Sequence, residues 1–114
     1  MLPVVTAIGL EAFASWKALE AQNQCAAEVT KRIGAQGTVA RSTPARAYKK
    51  DWGVAVKMQP YDLNSGAATY ICRFDKPLNG LKQIGFESYA GDKMEAFIDA
   101  TESAQYPGTW DRLW

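Results

Sequence analysis

The first third of the chain carries a hydrophobic stripe with the period of an α-helix. From Thr6 to Ile33, apolar residues recur mostly at three- and four-residue steps. The members of this stripe are Phe13, Trp16, Leu19, Ala26, Val29 and Ile33. Lys31 and Arg32 lie where cations favour the negative end of the helix dipole, and Gly34 follows directly. The pattern predicts one long amphipathic helix that ends near Ile33, with Cys25 on its apolar side.

The segment after this helix changes to the alternation of a β-sheet. Residues 37–44 are rich in Gly, Ser and Pro, which predicts a loop. Residues 54–59 then alternate between large apolar side chains and small or polar ones, which predicts a half-buried strand. A shorter strand over residues 46–50 is predicted ahead of it, with a turn at residues 51–53.

Two further strands are predicted in hairpin order. Residues 62–66 read Asp-Leu-Asn-Ser-Gly, a strong turn signal, and precede a second alternating run at 68–74. Residues 77–80 end in Asn-Gly, which accommodates positive φ, and residues 81–86 are compatible with a short strand. These segments predict an antiparallel meander of three or four strands.

A second helix is predicted near the C-terminus. Asp92 followed by Glu95 resembles a capping box in which Asp replaces Ser or Thr, and an apolar helical stripe continues to about Ser103. Residues 105–114 form an irregular, aromatic tail. The predicted fold is α+β over one domain, residues 1–114: a long N-terminal helix packed on the meander, with the second helix and the tail completing the cover.

Composition narrows the function classes. The 114 residues are 47% apolar and 22% charged, close to the averages of globular domains. The chain has no histidine, the commonest general base and zinc ligand, and its two cysteines cannot complete a four-cysteine zinc site. No nucleotide-binding or nucleophile-elbow motif occurs, and no apolar run is long enough to span a membrane. We therefore expect no enzyme, no metal and no cofactor.

The two cysteines are candidates for a disulfide between helix and sheet. If the long helix packs across the sheet, Cys25 and Cys72 come within bonding distance. Two buried free thiols, which are common in protein cores, are the alternative. A bond predicts a periplasmic or secreted protein, because disulfides persist in oxidising compartments, whereas free thiols predict a cytoplasmic one.

Part of this pattern resembles a group of small exported bacterial α+β domains, mostly of unknown function. The shared features are a helix bearing Cys25, a turn at residues 64–66 that reads Asn-Ser-Gly, and a strand at residues 70–75 that reads Tyr-Ile-Cys-Arg-Phe-Asp. The resemblance covers about residues 22–86. It implies a disulfide and an exported setting, and it supplies no catalytic residues. The chain departs from the pattern in showing no clear leader and in an extra C-terminal segment.

The near-neutral total charge of +1 contains a basic middle segment. Residues 35–60 carry five basic side chains and one acidic, whereas residues 61–114 carry five basic and eight acidic. The basic members of the middle segment are Arg41, Arg46, Lys49, Lys50 and Lys57. Together with Tyr48 and Trp52, whose rings can stack, these basic residues predict a surface for an acidic protein partner. The plainer interpretation is a solvated sheet edge. The balanced total disfavours nucleic-acid binding.

The aromatic tail is the second candidate contact surface. Trp and Tyr dominate interface hot spots, although the tail can equally be interpreted as a cap on the core. We therefore expect a small non-catalytic protein-binding module, such as an inhibitor, an immunity-type protein or an accessory subunit, of open oligomeric state. The predicted contact residues are Arg46, Lys49, Lys50, Trp52, Trp110 and Trp114. The alternative is a nucleic-acid-binding protein or a phage-type inhibitor of a nucleic-acid-targeting defence complex.

Overall fold

The structure, a computed structural model, describes residues 2–48, 50–75 and 80–100, with side chains from Trp16 onward. Within these residues it contains two helices and five strands, with a short 3₁₀ turn after the first helix. The elements in chain order are α1 Leu2–Ile33, β1 Gly37–Ser42, β2 Arg46–Tyr48, β3 Asp51–Pro60, β4 Ala68–Phe74, β5 Gln83–Ala90 and α2 Met94–Ala100. The predicted α+β fold is confirmed, and α1 ends at the predicted residue.

The sheet is antiparallel and is built around β3. Strands β3, β4 and β5 form the predicted meander, whereas β1 and β2 both pair with β3 on its other side. Thr43 bridges the gap between β1 and β2, since its amide donates to the Ala55 carbonyl at 3.1 Å. Its hydroxyl also accepts a hydrogen bond from the Ala55 amide at 3.3 Å. The two short strands therefore act as one broken edge strand along β3.

One face of the sheet packs against α1 and forms the main core. The helix buries small and branched side chains at three- and four-residue intervals. These residues are Ala18, Ala21, Cys25, Val29 and Ile33. The sheet meets them with alternate side chains of its two central strands. These are Trp52, Val54 and Val56 of β3 and Cys72 and Phe74 of β4. Because Ala18 is small, the chain approaches α1 closely, and the Ala45 amide donates to the Ala18 carbonyl at 3.1 Å.

A disulfide joins Cys25 of α1 to Cys72 of β4, which confirms the predicted pairing. The two Cα atoms are 5.8 Å apart, and both side chains are fully buried in the main core. The bond connects positions separated by 47 residues, so it restricts a long loop of the unfolded chain. It is therefore placed to hold the helix on the sheet.

The opposite face of the sheet is covered in part by α2. The carboxylate of Asp92 accepts a hydrogen bond from the Met94 amide at 3.0 Å, as predicted for a cap. The carboxylate of Glu95, the other residue of the predicted capping box, pairs instead with Arg41. Met94 and Phe97 are buried against Ala55 of β3 and Ile71 of β4. The half-buried strand predicted at residues 54–59 is confirmed at Lys57 and Gln59, which are half-buried and exposed, but it is wrong at Ala55, which α2 covers.

Several predicted boundaries are also wrong, each for a tertiary reason. The loop predicted at residues 37–44 contains β1. Pairing with the longer β3 outweighs the weak strand propensity of its Gly and Ser residues. The predicted turn at 51–53 is the first part of β3, and the predicted short strand ends at Tyr48. Strand β5 runs to Ala90, because β4 offers it a partner over its whole length.

Some predictions fall on residues that the structure does not describe. These are most of the turn at 77–80, the end of the second helix near Ser103, and the aromatic tail at 105–114. Gly80, the last residue of that turn, has a φ of 94°, which agrees with the positive φ expected of an Asn-Gly turn.

We expect reduction of the disulfide to lower the free energy of unfolding by about 4 kcal/mol, the chain entropy of a loop of this length. Urea denaturation of the protein with and without a thiol reductant measures the difference. The double variant Cys25→Ala/Cys72→Ala is the control, because its stability should not respond to the reductant. A loss below about 1 kcal/mol in the wild type would show that packing alone holds α1 in place.

Candidate functional site

A cluster of polar side chains lies on the α2 side of the sheet. Its members come from four strands, and we call them the polar cluster. They are Tyr48 of β2, Asp51 of β3, Arg73 of β4 and Glu87 and Tyr89 of β5. Strand pairing brings them together, since Tyr48 is paired with Asp51, and Arg73 and Glu87 flank the β4–β5 ladder on the same face.

Arg73 is the central cation of the polar cluster. Its Nη1 lies 3.4 Å from Oδ2 of Asp51 with hydrogen-bond geometry. Its Nε lies 3.3 Å from Oε2 of Glu87, an ion pair without the alignment of a hydrogen bond. The side chains of Arg73, Asp51 and Glu87 are between 21% and 31% exposed. Solvent therefore screens the attraction between them less than it screens an ion pair on the open surface.

Glu87 also accepts hydrogen bonds from two tyrosine hydroxyls. The Tyr48 hydroxyl donates to Oε1 of Glu87 at 3.3 Å, and the Tyr89 hydroxyl donates to the same oxygen. The bond to Glu87, followed by desolvation, raises the pKa of Tyr89 to about 12. At neutral pH Tyr89 therefore acts as a hydrogen-bond donor and not as a base.

Two glycines make room for the polar cluster. A Cβ placed on Gly53 would lie 2.7 Å from Cβ of Tyr48, and a Cβ placed on Gly85 would lie 2.7 Å from Nε of Arg73. The phenol ring and the guanidinium group therefore lie directly on the backbone of neighbouring strands. The Tyr48 ring also packs against Phe97 of α2, with ring centroids 5.3 Å apart.

A shallow cleft of about 220 Å³ lies between the polar cluster and α2. Its floor and walls are mostly apolar, with two phenols on one side and an ammonium group at the rim. The residues that line it are Tyr48, Ile71, Tyr89, Lys93, Ala96, Phe97 and Ala100. Such a cleft can accept a small apolar group, and its tyrosines can hydrogen-bond a polar atom at the edge.

The structure describes three of the six predicted contact residues, Arg46, Lys50 and Trp52. The Trp52 side chain is 1% exposed and packs in the main core, so it is not part of a surface. Arg46 is 6% exposed, and burial lowers the pKa of its guanidinium group. Lys50 is exposed ahead of β3. The remaining predicted contacts, Lys49, Trp110 and Trp114, lie outside the described residues.

Two cations of the basic middle segment pair with acids of the same chain. Arg41 Nη1 lies 3.0 Å from Oε1 of Glu95, and Lys57 Nζ lies 3.2 Å from Oδ2 of Asp92. The hydrogen bond from the Met94 amide, together with Lys57, lowers the pKa of Asp92. The complementarity that the sequence suggested toward an acidic partner is met internally at these two positions.

The turn between β3 and β4, residues 61–66, is the most exposed apolar feature of the described chain. We call it the Leu63 turn. The Leu63 side chain is 97% exposed, and that of Tyr61 is 67% exposed. The sequence pattern identified this turn from its polar residues, but the leucine at its centre was missed, because the signal that marks a turn says nothing about which side chain it presents.

Asp62 holds the backbone of the Leu63 turn in one conformation. Its carboxylate accepts hydrogen bonds from the Asn64 amide at 2.9 Å and from the Ser65 hydroxyl at 3.3 Å. The Ser65 amide donates to the Asp62 carbonyl at 3.1 Å, and the Tyr61 amide donates to the Gln36 carbonyl at 3.0 Å. The turn is therefore tied both to itself and to the segment that follows α1.

Comparisons with models of protein families, with curated proteins and with solved structures find no match to this chain. The resemblance to small exported bacterial domains therefore stays a prediction. In the residues that the structure describes, no helix has both the length and the apolar character to cross a membrane. The same residues contain no group of three or more His, Cys, Asp or Glu side chains that could hold a metal ion.

We expect Gly53→Ala to lower the free energy of unfolding by about 2 kcal/mol, because its methyl group meets the Cβ of Tyr48, which cannot move without β2. Gly66→Ala is the matched control, since a Cβ there meets no atom within 4 Å. Thermal denaturation followed by circular dichroism compares the two. Equal stability of both variants would contradict the close approach of Tyr48 to β3.

We expect Arg73→Met to destabilise the protein by about 2 kcal/mol, because it leaves two partly buried carboxylates without their cation. Arg41→Met is the control. The side chains of Arg41 and Glu95, which form an ion pair, are 51% and 74% exposed. Such exposed pairs contribute about 0.5 kcal/mol or less to the free energy of unfolding. Chemical denaturation measures both. A loss as small for Arg73→Met as for Arg41→Met would show that the polar cluster is not a stabilising network.

Proposed function

We propose that the protein is a small non-catalytic protein-binding module, such as an inhibitor, an immunity-type protein or an accessory subunit. The observation that carries the proposal is the Leu63 turn, which presents a 97% exposed leucine on a hydrogen-bonded backbone. An exposed apolar side chain on a fixed turn is suited to insertion into an apolar pocket of a partner.

The energetics of the Leu63 turn favour such an insertion. Covering a leucine side chain with a partner contributes about 1.5–3 kcal/mol. Because the hydrogen bonds to Asp62 already order the turn, binding loses little further conformational entropy. Tyr61 adds an exposed aromatic ring two residues away, and Tyr is among the residue types enriched in interfaces.

The surroundings of the Leu63 turn favour a protein over a nucleic acid. Residues 61–66 carry one carboxylate and no basic side chain, so a phosphate backbone would be repelled there. Beside the turn lies an open cavity of about 410 Å³, whose lining includes Met58 and Pro60. A partner that receives Leu63 would also enclose this cavity. Lys50 and the tryptophans of the tail stay predicted contacts, and Lys50 lies at the opposite end of β3 from the Leu63 turn.

The test is affinity capture from native extract on the immobilised full chain, with retained proteins quantified by mass spectrometry. We expect the wild type to retain a defined partner that Leu63→Asp loses by about tenfold or more, because the substitution removes the apolar anchor and places a charge in its pocket. Leu19→Asp is the matched control, since Leu19 is the other largely exposed leucine of the described chain, at 51%. It should retain the partner.

Two results would contradict the proposal. The first is a retained partner that Leu63→Asp and Leu19→Asp hold equally well. The second is retention that nuclease treatment abolishes and that falls steeply with salt concentration, which would instead support nucleic-acid binding. Circular dichroism of each variant shows whether its fold is intact.

A further inference from the structure

The two edges of the sheet differ in how well they are protected against pairing with another strand. The edge formed by β1 and β2 is broken into strands of six and three residues. Between them lies Pro44, which has no amide hydrogen, and the Ala45 amide points to α1. A bulge lies between Val39 and Arg41. Breaks, prolines, bulges and basic residues are the usual means by which proteins block an edge.

The edge formed by β5 has none of these protections along most of its length. The strand is eight residues long and reads Gln-Ile-Gly-Phe-Glu-Ser-Tyr-Ala, without proline or a basic residue. Among the described strands it pairs only with β4, and its register is regular from Gly85 to Ala90. Its outward amide and carbonyl groups are thus a template for a further strand.

The charge of β5 is also compensated within the chain. Glu87 is its single acidic residue, and the carboxylate contacts Arg73 and accepts hydrogen bonds from the hydroxyls of Tyr48 and Tyr89. A strand whose one charge is already balanced does not need a partner of opposite charge. It also does not repel a second strand of the same sequence.

We propose that β5 pairs in antiparallel fashion with β5 of a second copy of this chain, so that the two sheets join into one continuous sheet. An antiparallel edge strand is complementary to itself, and the pairing closes with a two-fold axis, the commonest symmetry of homo-oligomers. The pair would cover Ser88, Tyr89 and Ala90, which are exposed in the described chain. The proposal uses the edge of β5 and not the Leu63 side chain, so it does not depend on the proposed function.

The test is sedimentation equilibrium of the full chain over roughly a hundredfold range of concentration. We expect a monomer–dimer equilibrium in the wild type. Ser88→Lys should raise its dissociation constant by about tenfold or more, because the exposed Ser88 would place a lysine of each copy in the new pairing. Thr38→Lys makes the same charge change on the exposed surface of β1 and should leave the equilibrium unchanged. Ser88→Thr, with a side chain suited to strands, should keep the dimer.

A second measurement guards against a variant that does not fold. Hydrogen exchange of the wild type should slow in β5 as the concentration rises, while exchange in β1 should not change. A wild type that stays monomeric over the whole range overturns the proposal. A dimer that Thr38→Lys weakens as much as Ser88→Lys, or that shows no added protection in β5, overturns it as well.

Discussion

The contact between α1 and the two central strands is the constraint on which the rest of the structure depends. Ala18, Ala21, Cys25, Val29 and Ile33 form one buried face of the helix, and the disulfide to Cys72 lies within that face. A chain of this size has a modest core, so a covalent link between its two layers removes much of the freedom that packing would otherwise have to overcome. The strands carrying Trp52, Val54 and Phe74 bury their side chains only because the helix covers them.

The described part of α2 covers only part of the opposite face of the sheet. Its seven described residues bury a strip around Ala55 and Ile71. Beside that strip, the face of the sheet carries charged side chains, with Arg73 between Asp51 and Glu87. Gly85 lies against the Arg73 side chain and Gly53 against that of Tyr48, so both side chains pack directly on the backbone. This face of the sheet therefore contains an apolar cluster and an ion-pair network, and the shallow cleft lies between them.

Local sequence signals predicted the elements whose cause is local. The end of α1, the strand at 68–74 and the Asp92 cap follow from patterns within a few residues. The pairing of Cys25 with Cys72, which are 47 residues apart, depends instead on the packing of the helix on the sheet, and the sequence left two free thiols as the alternative. Strand β1 could not be predicted this way, because it depends on β3. The turn predicted at residues 51–53 would also place Trp52 at the surface. Because these residues instead pair with β2 and β4, the Trp52 side chain points into the core. The polar cluster depends on register across four strands, which no local pattern contains.

The uneven charge of the sequence shows why composition alone misdirects the search for a contact surface. A basic middle segment beside an acidic C-terminal one suggests attraction to an outside partner, but Arg41 and Lys57 use their charge on Glu95 and Asp92 of the same chain. At these two positions, charges that lie far apart in the sequence form ion pairs in the folded chain. In the described part of the chain, the two proposed contact surfaces are the Leu63 turn and the edge of β5, and apolar and backbone contacts of this kind are screened little by salt. The recognition proposed at these two surfaces therefore depends on shape and backbone geometry more than on net charge.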